Sequence, residues 1–218
     1  LQRLSNLDLS NRKWAFMRSG NLSIAGVSCL ALRISFTGDL GWEIYCKANK
    51  QQIVYDALVQ EAVNESGGPV GSRALMSLRI EKGYGSWSRE YSPEVWPHEC
   101  GLEKLCKLDK EFLNKGELEK KLKTNPRERL MLIHLNEEDC ISSNADATGG
   151  EPIFKNGKGL GRITSGAYGY TVGMSLALGY LKDVIPGDNV EVMVLGQPHR
   201  GKVLEAPPFD PDGKILRN

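Results

Sequence analysis

Nowhere in this chain does an apolar run approach the roughly 20 residues that a membrane span needs, and the first residues carry no signal-peptide pattern. Charge of one sign is not in excess either: 28 Lys and Arg stand against 27 Asp and Glu, for a formal net charge of +1. A field that weak recruits neither nucleic acid nor an anionic lipid surface. The five cysteines, Cys29, Cys46, Cys100, Cys106 and Cys140, are odd in number and unevenly spaced, which suits a reducing compartment better than a disulfide framework. His98, Cys100 and Cys106 lack the second cysteine pair and the nearby histidine that a zinc site requires, and nothing marks a thiolate as activated for nucleophilic catalysis. A dinucleotide fingerprint is also missing. Gly159-Leu-Gly161-Arg-Ile-Thr is incomplete, and it lies in a hairpin pattern rather than between a strand and a helix.

What is present is the ordinary composition of a folded protein of 218 residues, 40% hydrophobic and 25% charged, with 24 Gly and 10 Pro. A chain of this length buries about 70% of its unfolded surface, enough for one large or two small domains. Residues 1–28 are polar and irregular. An alternating run, with Leu30, Leu32, Ile34 and Phe36 on one face, stops at the turn cluster Thr37-Gly38-Asp39. It restarts as Trp42-Glu43-Ile44-Tyr45, so two strands around a tight connection are expected. A helix follows from Asn49 to Ser66, with the stripe Val54, Ala57, Leu58, Ala62, Asn49 as cap and Gly67-Gly68 as stop. A second runs from Ser72 to about Lys82. Residues 84–101, rich in Trp, Tyr, Pro and Ser, exclude a long regular element. Lys115–Leu122 reads as a short charged helix and residues 123–127 as a linker. Beyond it, short strands with Gly and Pro turns predict a small β-barrel or sandwich: Leu130–Ile133, the Pro152–Phe154 and Leu160–Ile163 hairpin across Asn156-Gly157, Leu176–Tyr180, Val190–Val194 and Lys202–Leu204. No internal repeat or low-complexity tract is present.

Two readings stand for the chemistry-bearing residues. Glu43, a carboxylate in a strand between aromatic residues, suits a flat hydrogen-bonding heterocycle, and it is equally a solvated strand residue. Trp87, Tyr84 and Tyr91 are ligand platforms or ordinary packing. Arg73, Arg79 and Glu81 are ligand contacts or surface charges. Ser165–Tyr170 is a flexible barrel corner or a loop that touches a ligand or partner domain.

Four segments in order resemble one family. Arg33-Ile-Ser-Phe-Thr-Gly-Asp-Leu-Gly-Trp-Glu-Ile is similar to the R-x-[ST]-[YF]-x-G-E-x-G-[FW]-E pattern of the aminomethyltransferase, or glycine-cleavage T-protein, fold. Arg73–Tyr84, Trp87 and Pro97-His-Glu-Cys-Gly-Leu resemble its next block, continued by Cys106-Lys-Leu and Phe112–Leu118. Gly161–Tyr180, with Pro207-Pro-Phe-Asp-Pro, resembles its C-terminal barrel. Lys82-Gly83-Tyr84 and Trp87 resemble the branch fused to flavin oxidoreductases, the dimethylglycine and sarcosine dehydrogenases and oxidases.

The resemblance implies an α+β fold: a partial folate-binding domain over residues 1–124 and a small C-terminal β-barrel over 127–218. It implies tetrahydrofolate as cofactor, Glu43 as the anchor of the pterin, and Phe36, Trp87 and Tyr84 as walls. Arg73 would serve the folate tail, because Leu75-Met76 stands where some members carry an Arg-Asp pair. Phe36 stands where many have Tyr. The implied reaction is capture of the carbon from an oxidised N-methyl amine as 5,10-methylene-tetrahydrofolate. The family's acid–base Asp has no counterpart in residues 1–28, and the first residue is Leu. The resemblance therefore implies the C-terminal part of a longer protein, inactive alone. FAD and the flavin domain that partners it would lie upstream. The compartment would be the cytoplasm in a bacterium and the mitochondrial matrix in a eukaryote. A sheet without its leading strands is expected to self-associate through its edge. The rivals are a non-catalytic regulatory or scaffolding member of the fold and a free-standing folate-dependent aminomethyltransferase.

Overall fold

In a computed structural model that describes residues 1–136 and 145–217, the chain divides into two compact units, Leu1–Lys82 with Phe209–Asn218 and Gly83–Pro208. Cys140 lies outside the described residues.

The first unit is built on a three-stranded antiparallel sheet in the order β1-β2-β3, with β1 at Ser19–Ile24, β2 at Val27–Leu32 and β3 at Glu43–Tyr45. β1 falls where the sequence looked irregular. Its outward residues Ser19, Asn21 and Ser23 hide a two-residue period whose inward members, Leu22 and Ile24, are buried. Ala25 and Gly26, both at positive φ, close the β1–β2 hairpin. One face of the sheet joins Leu22, Ile24, Val27, Cys29, Ala31 and partly buried Ile44 to Val54, Ala57 and Leu58 of α1, Gln51–Asn64.

The helix starts differently from expectation. A 3-10 turn at Ala48–Lys50 precedes it, and no side chain caps it. At its end Ser66 takes the left-handed conformation, and the Gly67 N–H reaches back to the Ala62 carbonyl at 2.7 Å. α2 spans Ser72–Glu81 as expected, but its buried residues are Ser77, Arg79, Ile80 and Glu81, so Arg79 and Glu81 are not surface charges.

In the second unit, residues 83–114 contain no strand, and α3 spans Lys115–Leu122. The remaining strands close a barrel in the order β4-β7-β6-β5-β8-β9. They are β4 Arg129–Leu135, β5 Pro152–Lys155, β6 Lys158–Gly169, β7 Met174–Leu181, β8 Asn189–Val194 and β9 Gln197–Val203. Its interior is filled by aliphatic side chains, among them Ile133, Ile153, Ile163, Val192 and Val203, all 1% exposed or less. The glycine-dense stretch has a packing reason: a Cβ on Gly161 would lie 1.8 Å from the Tyr180 carbonyl oxygen across the β6–β7 pair.

Ser165 to Gly169 belongs to β6 rather than to a corner. The register shifts between Ile163 and Ser165, a bulge that lets neighbouring hydroxyls reach one acceptor. Thr164 and Ser165 lie 2.7 and 2.5 Å from Oε1 of the buried Glu90. The other oxygen of that carboxylate accepts from the Ser86 N–H at 2.8 Å, and the Tyr180 hydroxyl donates to the Glu90 carbonyl at 2.6 Å.

A second carboxylate, Glu99, accepts from the Arg127 side chain at 2.8 and 2.9 Å and from the Trp96 N–H at 2.9 Å. The Arg127 guanidinium outweighs the opposing effect of burial and pulls the Glu99 carboxyl down from 4.5 to about 2. A folded value below the unfolded one contributes stability above pH 4.5 that is lost as the pH falls toward about 2. Denaturant unfolding of Glu99→Gln should therefore show a deficit of about 1–3 kcal/mol at neutral pH that closes between pH 4.5 and about 2. A deficit independent of pH would mean that the charge contributes nothing.

Candidate functional site

The outward face of the three-stranded sheet follows from its register. Leu30 pairs with Tyr45 and Leu32 with Glu43, so these four side chains share one side, opposite the core. Leu30 and Tyr45 are 44% and 53% exposed, large for apolar surface on a sheet. Beyond them lie Asn21, opposite Leu30, and Ser19, opposite Leu32. The face is thus an apolar strip with a polar rim on one side and a carboxylate on the other.

Glu43 is exposed, and its Oε2 accepts a hydrogen bond from the Tyr45 hydroxyl at 2.5 Å. Residues two apart on a strand point the same way, which is the signal that could have singled out Tyr45 beforehand. That bond and the Glu43 charge hold the Tyr45 phenol above its ordinary value of 10.0. A carboxylate has about four lone-pair positions, and Tyr45 occupies one, so the rest can receive a pair of adjacent N–H donors.

The expected tight connection between the two strands is instead a loop over residues 33–42, because β2 ends at Leu32 and β3 begins at Glu43. Arg33 is 2% exposed and keeps the inward parity of Cys29 and Ala31, while the ladder with β3 stops at Leu32 and Glu43, so Ile34 and Phe36 lie beyond the sheet. Phe36 sits in this loop, 36% exposed. Arg73 is exposed on the first turn of α2. Glu43, Phe36 and Arg73 belong to the first compact unit, and Tyr84 and Trp87 to the second. Trp87 is 70% exposed within the Ser86–Tyr91 turn that Glu90 secures, and Tyr84 is half-buried.

Among the described residues no group of three or more His, Cys, Asp or Glu side chains could hold a metal. Burial raises the thiols of Cys29 and Cys100, which is the reverse of nucleophile activation. No helix among the described residues is long and apolar enough to cross a membrane.

The Tyr45 phenol is a reporter of this face. In Glu43→Gln its ionisation should return toward the ordinary tyrosine range, read by ultraviolet difference titration with Tyr45→Phe as the blank. An unchanged titration would show that the two groups are not bonded in solution.

Comparisons with known proteins bear on both units. The GCVT N-terminal domain family model matches residues 1–110, and the glycine cleavage T-protein C-terminal barrel domain matches 129–210. The chain is 33% identical to human mitochondrial dimethylglycine dehydrogenase over 95% of its own length and 24% of that protein. It is 33% identical to mouse mitochondrial sarcosine dehydrogenase over 100% of its length and 24% of that protein. Against an aminomethyltransferase of Thermotoga neapolitana the identity is 32%, over 93% of the chain and 56% of the relative. The crystal structure of the glycine cleavage system aminomethyltransferase T from Bartonella henselae superposes with a TM-score of 0.78 at 20% identity, over 92% of this chain and 54% of that one, a likeness of fold. The chain thus spans about a quarter of the length of the dehydrogenases it matches.

Proposed function

Because the chain belongs to the glycine cleavage T-protein family, we propose that it is the tetrahydrofolate-binding, one-carbon-accepting part of a flavin-dependent N-methylglycine oxidoreductase of the dimethylglycine or sarcosine type. The observation that carries this reading is the outward sheet face, where the Glu43 carboxylate stands at the edge of the Leu30, Leu32 and Tyr45 strip. A pterin is flat, and its amino-amide edge presents two adjacent N–H donors. Glu43 would accept both in a charge-assisted pair, which fixes the ring's rotation as well as its position. Leu30 and Leu32 would cover apolar ring area, and Tyr45 would hold the carboxylate in its rotamer. The tetrahydrofolate, when bound, supplies the nitrogens that take up the carbon as 5,10-methylene-tetrahydrofolate.

Phe36 would form a wall of the site without the hydroxyl contact of a tyrosine, and Arg73 would meet the carboxylates of the folate tail. None of these residues is assigned a proton transfer. The match to dimethylglycine and sarcosine dehydrogenases over nearly the whole chain supports the flavin-linked reading over a free-standing aminomethyltransferase. The aminomethyltransferase matches at similar identity support the second reading.

Titration of tetrahydrofolate into wild type and Glu43→Gln, followed by calorimetry, tests the anchor. Loss of a charge-assisted bidentate contact is expected to weaken binding at least about tenfold. Equal dissociation constants would remove Glu43 from the site.

A further inference from the structure

The loop that leads into Glu43 is held from beneath by two buried cations, and both are fastened to the C-terminal segment. Arg33, at the loop's start, is 2% exposed, and Lys82, at the end of α2, is 4% exposed. The Arg33 guanidinium donates to the Gly41 carbonyl at 3.3 Å, near the loop's other end, and to the Leu216 carbonyl at 3.4 Å. It also lies 5.4 Å from the centre of the Trp42 ring, the residue immediately before Glu43.

At the loop's apex Gly38 takes a φ of 91°, and a Cβ there would come within 2.6 Å of the Lys82 Cγ. The lysine stem is thus the floor of the apex. Its ammonium bonds the Asp210 carboxylate at 3.1 Å and also reaches the Asp210 main-chain oxygen. Asp210 in turn accepts from the N–H groups of Lys214 and Ile215 at 2.8 and 3.1 Å, which curls the segment around it.

We propose that Arg33, Lys82 and Asp210 are positioning residues for the Phe36 loop and the Glu43 carboxylate, with residues 209–217 as the clamp that holds both cations in place. The loop's own bonds are short-range: Gly38 N–H to Ser35 Oγ at 2.9 Å, Thr37 Oγ1 to Asp39 Oδ2 at 3.2 Å and Asp39 N–H to Thr37 Oγ1 at 3.5 Å. Its path is therefore set by what lies under it. Arg33 meets both carbonyls through one guanidinium nitrogen while its planar group lies against the Trp42 ring; a lysine can bond carbonyls, but its shorter stem and compact, strongly hydrated charge do not reproduce that planar contact. Segments more than 120 residues apart in sequence meet here, Lys82 with Asp210 and Arg33 with Leu216, at separations of 128 and 183.

The proposal rests on the folate reading of Glu43, and the test separates the two. Arg33→Lys and Asp210→Asn are compared with wild type by circular dichroism, by tetrahydrofolate calorimetry and by the Tyr45 ultraviolet titration, which needs no folate. Both variants are expected to keep the wild-type spectrum, to bind tetrahydrofolate about tenfold more weakly, and to shift Tyr45 ionisation toward the ordinary range as its bond to Glu43 loosens. If Arg33→Lys does not fold, Asp210→Asn, altered only in the clamp, decides. Folded variants with wild-type affinity and wild-type Tyr45 titration overturn the proposal, even if they melt at lower temperature. If wild type binds no tetrahydrofolate while Tyr45 still shifts in the variants, the positioning role stands and the folate reading falls.

Discussion

A charged side chain taken out of water must be met by oxygen, nitrogen or ring faces, since an unmet ion costs several kcal/mol in a protein interior. Arg33 shows what that demand does to a chain. Its guanidinium draws the Gly41 and Leu216 carbonyls and the Trp42 ring around itself, so a loop and a terminal segment converge on one cation. Lys82 and Asp210 repeat the arrangement under the apex of the same loop. In the second unit the signs are reversed. Glu90 collects Ser86, Thr164 and Ser165 and ties the aromatic loop to β6, while Glu99 collects Trp96 and Arg127 and ties it to the segment just before β4. Apolar burial makes each unit compact, and these ions decide which irregular segments lie where.

That division of labour suits a binding protein. The barrel interior is filled with aliphatic side chains and leaves its chemistry to loops. The small sheet keeps one face for the core and turns the other outward with Glu43, Tyr45, Leu30 and Leu32. A strand presents its carboxylate more precisely than a loop would, and buried ions underlie the loop beside it. On the proposed folate reading, this face contributes an oriented acceptor and a flat apolar surface.

The sequence by itself determined the elements whose period or punctuation is local: α2 and α3, the Asn156-Gly157 hairpin, the succession of barrel strands and the place of Glu43 in a strand next to aromatic residues. Four motifs in order were enough to point to the family. β1 was hidden because its outward positions are Ser and Asn, which read as irregular when the inward pair Leu22 and Ile24 is short. Helix α2 was legible as a helix, but not its buried face, because Arg79 and Glu81 look like solvent residues until a tertiary environment encloses them. The extent of the loop before Glu43 was misjudged, since alternation through Ile34 and Phe36 gives no sign that the ladder stops at Leu32 and that Arg33 is buried. Only the tertiary structure decided that, together with the Glu43–Tyr45 bond and the clamp at Asp210, because a buried charge is placed by partners that here stand more than 100 residues away and leave no local pattern.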